Sequence, residues 1–278
     1  MKKIINKLIK ENKVVFYSFL SIVPLLLYGF YKNIILNKDI SYFELFIGII
    51  ATIIFLLGFI LYKKKSKKKV TIYDFYIIST ILFLPLKFNI FIIFIIYIIL
   101  FILSKSKIKI PYQCIIVLFM IISSYIIYKD GTFSFNLLSS EYDYSILNLF
   151  FGKSDSYFFT SNFFLAIISF IILCNTGNYK KFIPIIFIIL YIPFILIFGS
   201  FIDYTFLNVS GIFLAVMYIA TNYTFSPITK KGMLIYTSLI FILTIIFNIL
   251  FDYYIGIILS ILLVQIMYKY VVQKVFTK

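Results

Sequence analysis

The chain has 278 residues, 63% of them hydrophobic, a mean hydropathy of +1.09 and a formal net charge of +16. A soluble domain cannot hide that much apolar side chain, and runs such as Ile-Ile-Phe-Ile-Ile lack the alternation of a transmembrane β-barrel, so the class that remains is an all-α polytopic membrane protein. The absence of His removes imidazole bases and His-held metals, and Cys114 and Cys174 form no CxxC pair, so no zinc, iron–sulfur or dithiol motif is expected.

Taken in order, the basic tract MKKIINKLIKENK leads into a first span, Val14–Tyr31. It contains Pro24 and lacks a small-x-small cleavage site, so it reads as a helix rather than a removed signal. Further spans follow at Tyr42–Tyr62, Ile72–Leu86, Ile90–Leu103 and Pro111–Tyr128. After a long polar segment, Lys129–Thr160, come Ser161–Cys174, Phe182–Phe198, Tyr204–Asn222, Met233–Phe251 and Tyr253–Tyr270. The chain thus divides into a first five-helix half (1–128), a connecting loop outside the membrane (129–160) and a second five-helix half (161–278).

Lysine placement sets the orientation. With the N-terminus in the cytoplasm, 21 of the 26 basic residues fall inside, among them KKKSKKK, Lys180, Lys181, Lys230 and Lys231. Only Lys32, Lys38, Lys87, Lys129 and Lys153 fall outside. Both termini are therefore read as cytoplasmic, in a multi-pass protein of the cell membrane. The lysines serve topology and not nucleic-acid binding. Five spans per half, an odd number, makes the halves inverted relative to each other. A weak internal repeat agrees: the third span of each half carries Thr, then Pro, then Lys, at Thr80, Pro85 and Lys87 and at Thr221, Pro227 and Lys230. Interrupted helices in equivalent positions are a feature of inverted-repeat membrane proteins.

The stretch ATNYTFSPITKKG, Ala220–Gly232, puts polar residues at the end of an apolar span. Pro227 has no amide hydrogen and disfavours helix before it, so the helix is expected to end near Thr221–Tyr223. Lipid offers nothing to its last carbonyls, and Thr221, Asn222, Thr224, Ser226 and Thr229 supply local hydrogen bonds. The same groups can serve an ordinary hairpin or line a cavity or cofactor site, and sequence position does not choose between the two.

Residues 211–248 of this region resemble the RnfD/NqrB family, the large membrane subunits of Rnf and sodium-pumping NADH:quinone oxidoreductase complexes. The family pattern F-x-A-T-D-P-x-T-S-P-x-T-x-K-G-x-L-I-Y is matched at Ala220, Thr221, Ser226, Pro227, Thr229, Lys231, Gly232, Leu234, Ile235 and Tyr236, with Asn222 and Tyr223 in place of Asp-Pro. Fainter likenesses occur in order at Ile22–Tyr31, Ser79–Phe88, Pro111–Met120 and Leu147–Asn162, the last keeping Gly152, Thr160 and Ser161. The resemblance implies a divergent member with inverted five-helix halves. It also implies FMN or riboflavin as cofactor. The family carries covalent FMN on a Thr of an S-[GT]-A-T motif, which the chain lacks; Thr132 and Ser134 keep hydroxyls, but Asn136 stands where the flavinylated Thr would align. Covalent FMN is not expected, and the cofactor-binding candidates are Thr132, Ser134, Asn136, Thr221, Asn222, Ser226 and Thr229.

The resemblance implies a membrane subunit of an Rnf/Nqr-like electron-transport complex that moves Na⁺ or H⁺ alongside other membrane subunits. The alternatives are a flavin-independent channel or transporter for a small solute on the same scaffold, or a structural subunit. With no H-E-x-x-H, no G-x-S-x-G and no paired carboxylates at helical spacing inside a span, no catalytic residue is assigned.

Overall fold

The computed structural model describes residues 2–32, 50, 76, 78–83, 95, 111–128, 150–152, 159–160, 162–177, 179–198, 209–251 and 253–268. These residues are all-helical, with no strand among them. α1 runs Lys2–Tyr31, and a buried 3-10 turn covers Thr80–Phe83. α2 is Tyr112–Tyr128, α3 Phe163–Cys174 and α4 Phe182–Phe198. α5 is Val209–Ala215 and passes into a π-helical turn, Val216–Ala220. α6 is Lys230–Leu250 and α7 is Tyr253–Met267.

Local chemistry sets several of these limits. Asn162 caps α3, its Oδ1 accepting from Leu165 N at 2.9 Å. Thr229 caps α6, its Oγ1 accepting from Gly232 N at 3.1 Å, which satisfies one of the donors a helix start leaves open. α6 therefore begins three residues before the expected Met233. Its 21 residues reach about 31 Å at 1.5 Å each, the thickness of a hydrocarbon core. Among the described residues it is the one helix long and apolar enough to cross a membrane; α4 and α2 are shorter apolar helices.

α6 and α7 form a tightly packed hairpin, with α4 against α6 and α2 against α7. α1 lies along α3. The α5–π segment runs through the middle, touching α3, α4 and α7. Every residue from Ser210 to Asn222 is buried, so this segment is enclosed on all sides. Apart from Lys230 and Lys231 at the start of α6, the exposed side chains of α4 and α6 are apolar, including Ile189, Leu196, Leu234, Ile242 and Ile249. The interior instead holds Ser21, Ser79, Gln113, Thr221, Asn222, Thr244, Ser260 and Gln265. Greasy outside and polar within is the arrangement a lipid solvent favours.

Where the described residues overlap the ten expected spans, helices occur. Apart from Ile50 and Ile95, the spans Tyr42–Tyr62 and Ile90–Leu103 lie outside the described residues, as do Pro85 and nearly all of the 129–160 loop. At the loop's edges, Gly152 adopts φ +86°, and a Cβ there would meet Asn162 Cα at 3.0 Å. Tyr28 Oη and Asn162 Nδ2 both donate to Phe151 O, at 2.7 and 3.0 Å. Gly152 is thus brought beside the start of α3.

A candidate functional site at the broken helix

A helix that ends inside a bundle leaves carbonyls that must find donors. At the break that follows α5 each donor comes from a different place. Met217 O accepts from Thr221 Oγ1 at 2.7 Å and from Tyr179 Oη at 2.8 Å. Ile219 O accepts from Gln265 Nε2 of α7 at 3.0 Å. Ala220 O accepts from Tyr236 Oη of α6 at 3.0 Å. Thr221 O accepts from Tyr76 Oη at 3.0 Å. Residues spread from position 76 to position 265 thus converge on five residues of backbone.

The chain then turns on Asn222. Its O accepts from Phe225 N, Ser226 N and Ser226 Oγ, at 3.1, 3.0 and 2.6 Å. Its Oδ1 accepts from Thr224 N at 3.0 Å, a local Asx turn. Its Nδ2 donates to Gln113 Oε1 at 2.6 Å, while Gln113 Nε2 donates to Tyr76 O and reaches Ser79 Oγ at 3.4 Å. Pro227 lies beyond this turn, so the helix ends where expected, but the π-turn and its side-chain caps hold the end in place.

Lys180, between α3 and α4, closes the loop from below. Its Nζ donates to Ser226 O and Ser226 Oγ, both at 2.7 Å, and stands 5.1 Å from the centre of the Tyr223 ring. Burial pushes the lysine down to about 8 and Tyr223 up to about 12. Burial likewise holds Tyr179 well above its ordinary value, with Tyr76 and Tyr218 adding to the effect.

Of the candidate residues, Thr221, Asn222 and Ser226 come together in this network, and Thr229 caps α6 a few residues on. All four engage their side-chain polar atoms in the break and the helix start. Thr221, Asn222 and Ser226 are buried and spend these bonds on the backbone of the break and on Gln113, whereas Thr229 is exposed and its hydroxyl only accepts, from Gly232 N. Thr132, Ser134 and Asn136 lie outside the described residues. The sequence reading missed Gln113, Gln265, Tyr76, Tyr179, Tyr236 and Lys180. Gln113 and Gln265 carried a signal, as glutamines inside otherwise apolar helices. The tyrosines did not, in a chain with 24 of them.

The family model described as NQR2, RnfD, RnfE matches residues 109–277, more than half of the chain, from just before α2 to beyond α7. The chain belongs to the NQR2, RnfD, RnfE family. The family is one of membrane subunits of electron-transport complexes, which assemble with other membrane subunits. No individual curated protein matches the chain. The matched region of this NQR2, RnfD, RnfE member contains the broken segment and, of the residues that bond to it, Gln113, Tyr179, Lys180, Tyr236 and Gln265, but not Tyr76.

Proposed function

We propose that the protein is a membrane subunit of an Rnf/Nqr-like complex that couples electron transfer to movement of Na⁺ or H⁺. Its ten or so spans form two inverted five-helix halves with both termini in the cytoplasm. Family membership over 109–277 carries this reading. The apolar exterior of α4 and α6, and the polar interior at a buried helix break, support it. Partner subunits supply the iron–sulfur and nicotinamide sites, for which this chain has no motif.

FMN or riboflavin, where the complex places it against this chain, is held without a covalent bond. It would supply one-electron chemistry. The hydroxyls of Thr132 and Ser134 would bind it, and Asn136 forms no phosphoester. The residues at the break position the loop and exclude water; they do not take part in electron transfer.

Affinity purification of the tagged chain from its own membranes tests the proposal. Co-purification of flavin- and iron–sulfur-containing subunits is expected, with no in-gel flavin fluorescence from the 32.7 kDa band after denaturation. A chain that purifies alone and passes a solute through liposomes without an electron donor would instead favour a channel.

A further inference from the structure

Lys180 carries a charge into a place where the described residues offer it no counter-charge. It is 7% exposed, and its partners are the two oxygens of Ser226 and the Tyr223 ring. The titratable groups on its own segment, the end of α3, the break loop and the start of α6 are Cys174, Tyr179, Lys181, Tyr223, Lys230, Lys231 and Tyr236, of which the Tyr223 ring stands 5.1 Å from Nζ. None is a carboxylate, and no Asp or Glu occurs among the described residues of α3, α4, the break loop, α6 or α7. An ammonium held by neutral oxygens alone is costly to bury. The arrangement matches what a small monovalent cation needs: a backbone carbonyl, a hydroxyl and an aromatic face.

We propose that Lys180 is a proton-binding site at the lysine-bearing mouth of the broken helix, its ammonium standing as a tethered cation in the oxygen cradle made by Ser226. The exchange is R–NH₂ + H⁺ ⇌ R–NH₃⁺, with no other bond made or broken. While protonated, the ammonium occupies the position an alkali cation would need, so the ion admitted past Ser226 is H⁺ rather than Na⁺. In its neutral form the amine keeps fewer donors for Ser226 and no longer carries the charge that burial penalises. Burial places the titration near 8, within reach of cellular pH. Its use in transport rests on the ion-translocation reading; its titration does not.

Lysine-selective ¹⁵N NMR of the full chain in lipid nanodiscs reads the site directly, with K180M and K180R assigning the signal. One lysine is expected to titrate near pH 8, against 10.5 for an ordinary lysine, and to vanish in both variants. Should every lysine titrate in the ordinary range, the proton site is overturned. In proteoliposomes of the assembled complex, donor-driven ion uptake by the wild type should fall as pH rises through 8, and that step should be lost in K180R and K180M. An unchanged pH step in both variants overturns the role of Lys180 while the functional reading stands. No donor-driven uptake by the wild type overturns the functional reading, while the NMR titration still decides the site.

Discussion

Asn222 Nδ2 donates to Gln113 Oε1 across 2.6 Å, joining the broken helix to α2 over 109 positions of sequence. Gln113 can accept there because its own Nε2 is turned toward Tyr76 O and Ser79 Oγ. The family pattern has Asp where this chain has Asn222, and an ionised Asp has no hydrogen to offer Gln113. Asn222→Asp should therefore force the Gln113 amide to rotate away from Tyr76 O. The expected result is a lower midpoint of thermal unfolding in detergent. A cycle of Asn222→Ala, Gln113→Ala and the double variant should give a coupling of about 0.5–3 kcal/mol. Additive effects would mean that the two amides do not depend on each other.

Each capped carbonyl at the π-turn makes a separate prediction. Tyr236→Phe removes the donor to Ala220 O, and Gln265→Leu removes the donor to Ile219 O. Tyr236→Phe leaves buried Ala220 O without that donor, at a cost of about 1–3 kcal/mol, whereas Ile219 O keeps Asn222 N at 3.2 Å, so Gln265→Leu should cost less than Tyr236→Phe. Thr237→Val, on the same helix, removes a hydroxyl that only bonds back to Met233 O at 2.7 Å and should cost less. Thermal unfolding of the three variants in one detergent checks the ranking.

At Gly256 α7 passes close to the end of α6. A Cβ there would lie 2.1 Å from Asn248 Oδ1, 2.9 Å from Asn248 N and 3.0 Å from Phe247 C. The Asn248 amide is buried and makes no hydrogen bond, so the fit of the hairpin rests on the missing side chain. Gly256→Ala should destabilise the protein by about 1–3 kcal/mol, as overpacking does. Adding Asn248→Ala should relieve only part of the loss, because the backbone contacts remain. Full rescue would show that the amide alone sets the approach.

The stability of the fold should depend on pH through Lys180. Its folded value is about 8, below the ordinary 10.5, so between these values the unfolded chain binds the proton more tightly. Stability contributed by this group therefore rises with pH from about 8 to 10.5. Below 8 the lysine is charged in both states and the burial cost is complete. The wild-type melting midpoint minus that of Lys180→Met should climb across this window. A flat difference would mean that Lys180 titrates alike in both states.

Much of the architecture was legible because lipid imposes simple rules. Long apolar runs and lysine tracts placed α2, α4, α6 and α7 within a few residues, and the end of α1 at Tyr31, although α1 begins at Lys2, twelve residues before the expected Val14. The end of the α5–π segment was legible too, from Thr221, Asn222 and Pro227. What the sequence did not reveal was the destination of the polar side chains. A Thr–Asn–Ser cluster reads the same whether it faces a ligand or its own backbone, and its bonds to the backbone of the break, beside the donors Tyr76, Tyr179, Tyr236 and Gln265, appear only in three dimensions. Those contacts span 145 residues in the case of Tyr76 and Thr221, and no local pattern encodes them. Lys180 was read as a topology marker, and its burial against Ser226 depends on how the segment between α3 and α4 meets the break loop.

The most direct measurement is the electron-donor-driven ion gradient across proteoliposomes containing the complex purified through this chain, compared with the same complex assembled without it. A gradient that forms only when the chain is present, and collapses when the donor is omitted, is the predicted result. An equal gradient without the chain, or ion flow through the chain with no donor, would contradict its place as a coupling subunit.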